Sequence, residues 1–87
     1  MNIQQQKIAR KIKNALIVDI KTTIDCDFLG SIQIEPKKNT YVVRYIDPDN
    51  HRKIKYITAS TEALTAYVLG FYDALMTIKS WHDNKTI

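Results

Sequence analysis

The sequence predicts an α+β fold: a three- or four-stranded antiparallel sheet with an amino-terminal and a carboxy-terminal helix. Three observations carry this. Apolar residues recur at helical spacing near both ends, short runs alternate with period two between them, and turn-forming residues separate those runs. At 87 residues the chain is expected to form a single domain over residues 1–87.

Residues 3 to about 15 read as an amphipathic helix, with Ile8, Ile12, Ala15 and Leu16 on one face and Ala9 beside them. Lys7, Arg10, Lys11, Lys13 and Asn14 occupy the other face. Beyond it, Val18, Ile20, Thr22 and Ile24 alternate with Asp19, Lys21 and Thr23. Two readings fit: a helix to about residue 20, or a shorter helix followed by a short strand. The alternation favours the second.

In the next strand Phe28, Gly30, Ile32 and Ile34 alternate with Leu29, Ser31, Gln33 and Glu35 until Pro36, and Lys37-Lys38-Asn39 makes the turn. Tyr41 through Ile46 is dense in aromatic and β-branched residues. Asp47-Pro48-Asp49-Asn50 is turn chemistry, because proline pre-sets φ and Asp/Asn side chains bond their own backbone. Lys53 through Thr58 returns, giving an antiparallel meander.

The last helix opens on Ser60 as N-cap, with Glu62 complementing the dipole in its first turn. Leu64, Val68, Phe71, Leu75 and Ile78 form its apolar stripe to about residue 80. Ala63, Ala66, Gly70 and Ala74 make a small-residue ridge, and Leu69, Tyr72 and Met76 widen the apolar surface. Such a helix touches two neighbours: the sheet, and either the first helix or another subunit.

Composition narrows the function classes. Thirteen Lys and Arg against nine Asp and Glu give a formal charge of +4, a modest excess compatible with a polyanionic partner. Cys26 is the sole cysteine, so no internal disulfide forms, and a reducing, cytoplasmic location is expected. Lys7, Arg10, Lys11 and Lys13 stand where a secretion signal would be apolar. No run approaches the ~20 apolar residues of a membrane span, so no membrane partner is expected. Ile and Lys are the commonest residues, as in AT-rich genomes, which points to a low-GC bacterium or its phages and mobile elements.

No catalytic constellation is legible, and no cofactor is implied. His51 falls in a hairpin turn and His82 near the chain end, neither beside a Ser or Cys that it could activate. Asp25-Cys26-Asp27 lacks the further ligands a metal needs, and two flanking acids disfavour a thiolate. Asp47-x-Asp49-x-His51 opens like a calcium loop but has Arg52 where glycine is needed and Thr58 where glutamate is needed. Neither an enzyme nor a metal protein is expected.

What remains is surface. Strand alternation sends Phe28, Ile32, Ile34, Tyr41, Val43, Tyr45, Ile54 and Tyr56 toward the last helix. The opposite face then carries Ser31, Gln33, Glu35, Val42, Arg44, Ile46, Lys53, Lys55 and Ile57, with Lys37, Lys38 and Arg52 at the turns. That mixture of β-branched residues and cations is too apolar for a purely solvated face. If the first helix packs beside the second, the face is open; if it crosses the far side of the sheet, the face is covered.

Residues 30–72 resemble the three-strand-plus-helix DNA-binding modules of phage integrase arm-binding domains and of plant ethylene-response-type factors. The likeness lies in Asn39-Thr40-Tyr41-Val42-Val43-Arg44, a turn, Lys53-Ile54-Lys55-Tyr56, and Thr61-Glu62-Ala63-Leu64-Thr65-Ala66-Tyr67. The chain differs in having no strand tryptophan and an additional first helix. The resemblance implies a sheet lying in the major groove, with Arg44, Lys53 and Lys55 on bases or phosphates.

Two functions are therefore expected to compete. The first is a nucleic-acid-binding module using Arg44, Lys53 and Lys55, with Lys37, Lys38, Arg52, Lys7, Arg10, Lys11 and Lys13 on the phosphate backbone. The second is a phage- or mobile-element-type regulator that binds and inhibits a host protein, for example a defence nuclease such as a CRISPR effector. It would use Leu69, Tyr72, Met76, Val42, Ile46 and Ile57, and the same apolar surface could form a homodimer.

Overall fold

The computed structural model describes residues 3–85. In order these form α1 (Ile3–Val18), β1 (Thr22–Asp25), a 3-10 turn (Asp27–Leu29), β2 (Ser31–Lys37), β3 (Thr40–Ile46), β4 (Arg52–Thr58) and α2 (Thr61–Lys85). The strands make one antiparallel meander in the order β1-β2-β3-β4, so the α+β expectation holds with four strands.

Helix α1 runs to Val18, past the expected end, and the short strand still follows it as β1. Asp19 stops the helix in the left-handed region at φ 57°, and the Ile20 amide donates back to the Ala15 carbonyl at 3.4 Å, a Schellman-type closure. The extra turn leaves Ile17 and Val18 on the wet side, 71% and 56% exposed. Helix α2 is capped by Ser60, whose Oγ accepts from the Ala63 amide at 3.1 Å. It continues to Lys85 rather than ending near residue 80, and its last turns carry His82 onto the ring of Phe28 at 4.9 Å.

Both helices lie on the same face of the sheet. Ile8 and Ile12 of α1, Leu64, Val68, Tyr72 and Leu75 of α2, and Ile24, Cys26, Ile32, Ile34 and Val43 from the sheet side form one buried cluster. Burying each such aliphatic side chain is worth roughly 1.5–3 kcal/mol. An aromatic ladder ties the second half of the sheet to α2: Tyr56 stacks on Tyr67 at 4.4 Å, and Tyr67 and Tyr45 each meet Phe71. The Tyr45 hydroxyl donates to the Leu29 carbonyl, which pins the 3-10 turn to β3.

Expected facings are corrected at two places in the chain. Phe28 is not in a strand: the chain makes its 3-10 turn there, because Gly30 adopts φ 98° and ψ −148° and β2 begins only at Ser31. In β4 the register shifts by one residue, pairing Val43 with Tyr56 but Arg44 with Ile54 and Tyr45 with Lys53. Lys55 is the extra residue of this bulge. The bulge turns Ile54 to the far face, away from α2, and puts Lys53 on the helix side of the strand.

No helix among the described residues is long and apolar enough to cross a membrane.

Candidate interaction surface: the uncovered face of the sheet

With α1 beside α2, neither helix lies over the far face of the sheet. Cross-strand register arranges that face in rows. The first row runs Asp25, Ser31, Ile46, Arg52; the second Thr23, Gln33, Arg44, Ile54; the third Glu35, Val42, Ile57. Its β3–β4 side is aliphatic. Ile54 and Ile57 are 52% and 55% exposed, Ile46 is half-buried, and Val42 is shielded between Glu35 and Ile57. Val42 is buried outside the helix-facing core cluster, as befits its place on the opposite side.

Charged groups interrupt this apolar area: Arg44 in the second row, Glu35 in the third and Arg52 at the margin. The Arg44 guanidinium contacts Glu35 Oε1 at 2.6 Å, and Lys37 reaches the same oxygen at 3.3 Å. Arg44 first, then Lys37, hold the Glu35 carboxyl below the usual carboxylate range. The pair is therefore intact at neutral pH and is lost only as pH falls through that depressed value. Arg44 and Lys37 share this one carboxylate, so the cluster keeps one net positive charge while Arg44 itself is paired and partly shielded.

The expected cationic face does not assemble. Arg44 and Arg52 lie on the open face, Lys53 pairs with Tyr45 on the helix side, and Lys55 lines a recess with Ala66, Tyr67, Gly70 and Phe71 of α2. Lys37 ends β2 and Lys38 sits in the following turn. On α1, Lys7, Arg10, Lys11 and Lys13 are all exposed. The helix contains no acidic residue, and no carboxylate among the described residues lies within 4 Å of these cations. They occupy the helical layer, on the opposite side of the molecule from the open sheet.

The expected apolar interface divides as well. Tyr72 is only 7% exposed and belongs to the core. Leu69 and Met76 are half-buried along the α1–α2 seam, Leu69 beside Ala9 and Leu16 and Met76 beside Gln4 and Gln5. Tyr72 is taken up by the core and Leu69 and Met76 line clefts between the two helices, whereas Val42, Ile46 and Ile57 do share one face. Ile54 joins them and was missed. Nothing local marks its turn outward, since the bulge involves neither glycine nor proline.

The remaining groups are committed to structure. Asp47, Asp49 and His51 can each bring one ligand atom within 4.8 Å of the others. Asp47 Oδ1 already accepts from the Asp49 and His51 amides at 2.9 Å each, and its other oxygen meets His51 Nδ1 at 3.2 Å. These bonds, led by that from the His51 backbone, hold the Asp47 carboxyl below its ordinary range and build the hairpin turn. The Cys26 thiol is 1% exposed and is pushed up to about 11, by burial first and then by Asp25 and Asp27. It is a packing residue with little nucleophilic character at neutral pH. Lys79 pairs with Asp27, fastening α2 to the 3-10 turn.

The fold and this surface define a two-layer α+β protein with two helices on one side of a four-stranded sheet and the other side open. No protein-family model, curated protein or solved structure matches the chain.

Proposed function

We propose that this chain is a non-enzymatic binding protein whose working surface is the uncovered sheet face, and that the surface takes another protein. The observation that carries the reading is the pair Ile54 and Ile57, each more than half exposed on a face that no helix covers. Exposed aliphatic residues beside a half-buried arginine, with polar groups at the margin, form the kind of patch that protein partners dehydrate. A regulator that inhibits a host protein, a defence nuclease included, needs only such a face to occupy its target.

A second reading keeps a nucleic acid as partner, and the observation favouring it lies on α1. Like charges at i,i+3 and i,i+4, here Lys7 with Arg10 and with Lys11, disfavour a helix. No carboxylate among the described residues lies within 4 Å to relieve them. A polyanion would be met by that helix and not by the strand cations, which are divided between two faces.

One retention experiment separates the two. The full chain is immobilised and exposed to cell lysate and to mixed DNA and RNA at two salt concentrations. The comparison is between wild type, Ile57→Glu on the sheet face, and Ala74→Glu on the exposed side of α2. A protein partner is expected to be retained by wild type and Ala74→Glu and reduced by roughly tenfold or more with Ile57→Glu, the loss typical of a buried anchor. Nucleic acid held in proportion to low salt, equally by all three proteins, would overturn the proposal in favour of α1.

A further inference from the structure

We propose that the cleft between the start of α1, the end of β1 and the middle of α2 binds a short aliphatic diamine. The site is separate from the patch of Ile54 and Ile57, which stands on β4 at the opposite edge of the sheet.

The cleft encloses about 280 Å³, room for roughly nine waters. Tyr72 lines it. Its ring belongs to the core and the residue is 7% exposed, yet its hydroxyl makes no hydrogen bond among the described residues. Burial first, and then Cys26, hold that hydroxyl above its usual range, while Lys79 and Asp27 act on it in opposite senses. Those two form the ion pair on the cleft wall, so the hydroxyl is neutral and lies toward them. It offers one donor and an oxygen with free lone pairs to whatever enters. A nearly buried hydroxyl without a protein partner costs free energy that a bound ligand recovers.

The ligand's charge follows from the other walls. Asp25, Asp27 and Asp73 line the cleft, with Lys79 as its cation. Lys79 pairs with Asp27, whereas Asp25 has no ion-pair partner among the described residues. Asp73 is met by Gln5 Nε2 at 3.4 Å but by no described cation. Three carboxylates less one ammonium leave two negative charges, which a dication neutralises. A chelated metal ion does not suit them. Among the described residues only Asp47, Asp49 and His51 bring three ligand atoms within 4.8 Å of one another, so the cleft carboxylates are dispersed. Asp25 ends the edge strand β1 and Asp73 stands on α2, which calls for two positive charges held apart. Met76 and the Tyr72 ring supply apolar contact for the alkyl chain between them. Each ammonium brings three N–H donors, enough for a carboxylate, the Tyr72 oxygen and a glutamine carbonyl.

Titration of the full chain with putrescine at low ionic strength, followed by amide NMR, tests the site. The wild type is expected to show saturable shifts at Asp25, Tyr72, Asp73 and Met76, with a Kd on the order of 1 mM. The monoamine n-butylamine should bind about fivefold more weakly, the upper range for one exposed ion pair. Asp25→Asn and Asp73→Asn should each lose about threefold. Tyr72→Phe should keep the wild-type urea midpoint, since the hydroxyl holds no protein group, and lose about tenfold in affinity, as for a hydrogen bond to a charged group. Ile57→Glu, on the far strand, should titrate as wild type. Shifts that fail to saturate by about 20 mM, equal affinity for n-butylamine or calcium chloride, or a Tyr72→Phe protein that binds as well as wild type would each overturn the proposal.

Discussion

Replacing Gly30 with alanine is expected to destabilise the protein by about 3 kcal/mol or more. Gly30 sits at φ 98° and ψ −148°, a region open essentially to glycine alone. A Cβ built there lies 2.2 Å from the Ile46 carbonyl oxygen and 3.2 Å from the Asp47 Cα, both backbone atoms that cannot rotate away. The glycine also holds the β1–β2 connection together: its carbonyl accepts from the Cys26 amide at 2.8 Å and its own amide donates to Asp27 at 3.2 Å. Relieving the clash would pull β2 from β3 next to Ile46. For a domain of this size the loss corresponds to a fall in midpoint temperature of about 12–24 °C. Thermal or urea unfolding reads it directly. A change below about 0.5 kcal/mol would show that the turn follows a different backbone path.

Ile12→Ala is expected to cost about 2–5 kcal/mol. Ile12 is 0% exposed and packs in the cluster that joins α1 to Leu64 and Val68 of α2. Truncation removes buried surface and leaves a cavity between rigid elements. The matched control is Ile17→Ala on the same helix, where the side chain is 71% exposed. That change should stay within about 0.5 kcal/mol, and alanine's better helix propensity partly offsets any lost contact. Urea midpoints of the two variants measure the difference. Equal losses would contradict the placement of α1 against α2, and with it the openness of the sheet's far side.

The helices were legible because their apolar residues recur at helical spacing over several turns, and the N-cap Ser60 was legible from residue type alone. The meander followed from Pro36, from Asn39 and from the Asp47–Asn50 turn. Three features were not legible. The end of α1 depends on Asp19 taking a left-handed conformation, which aspartate permits without announcing. Phe28 looks like a strand residue, and only the backbone of Gly30 shows that the chain turns there. The β4 bulge has no residue signature, yet it determines the surface: strict alternation groups Lys53 and Lys55 with Arg44, whereas the bulge replaces them by Ile54. One slip of register thus converts an expected basic face into an aliphatic one. Tyr72 was misplaced for a different reason: it faces outward from α2 only until α1 is laid against it, while Leu69 and Met76 stay half-buried along that seam.

The isoleucines provide built-in reporters of the central claim. Ile54 and Ile57 stand on the open sheet face, Ile32 and Ile34 in the core, and Ile3 and Ile17 on the solvent side of α1. Methyl-detected NMR of isoleucine-labelled protein, titrated with a retained partner, tests the claim most directly. Shifts or broadening should concentrate at Ile46, Ile54 and Ile57, with Ile3 and Ile17 unmoved. Perturbation confined to Ile3, Ile17 and their neighbours on α1, with the sheet methyls unchanged, would contradict it.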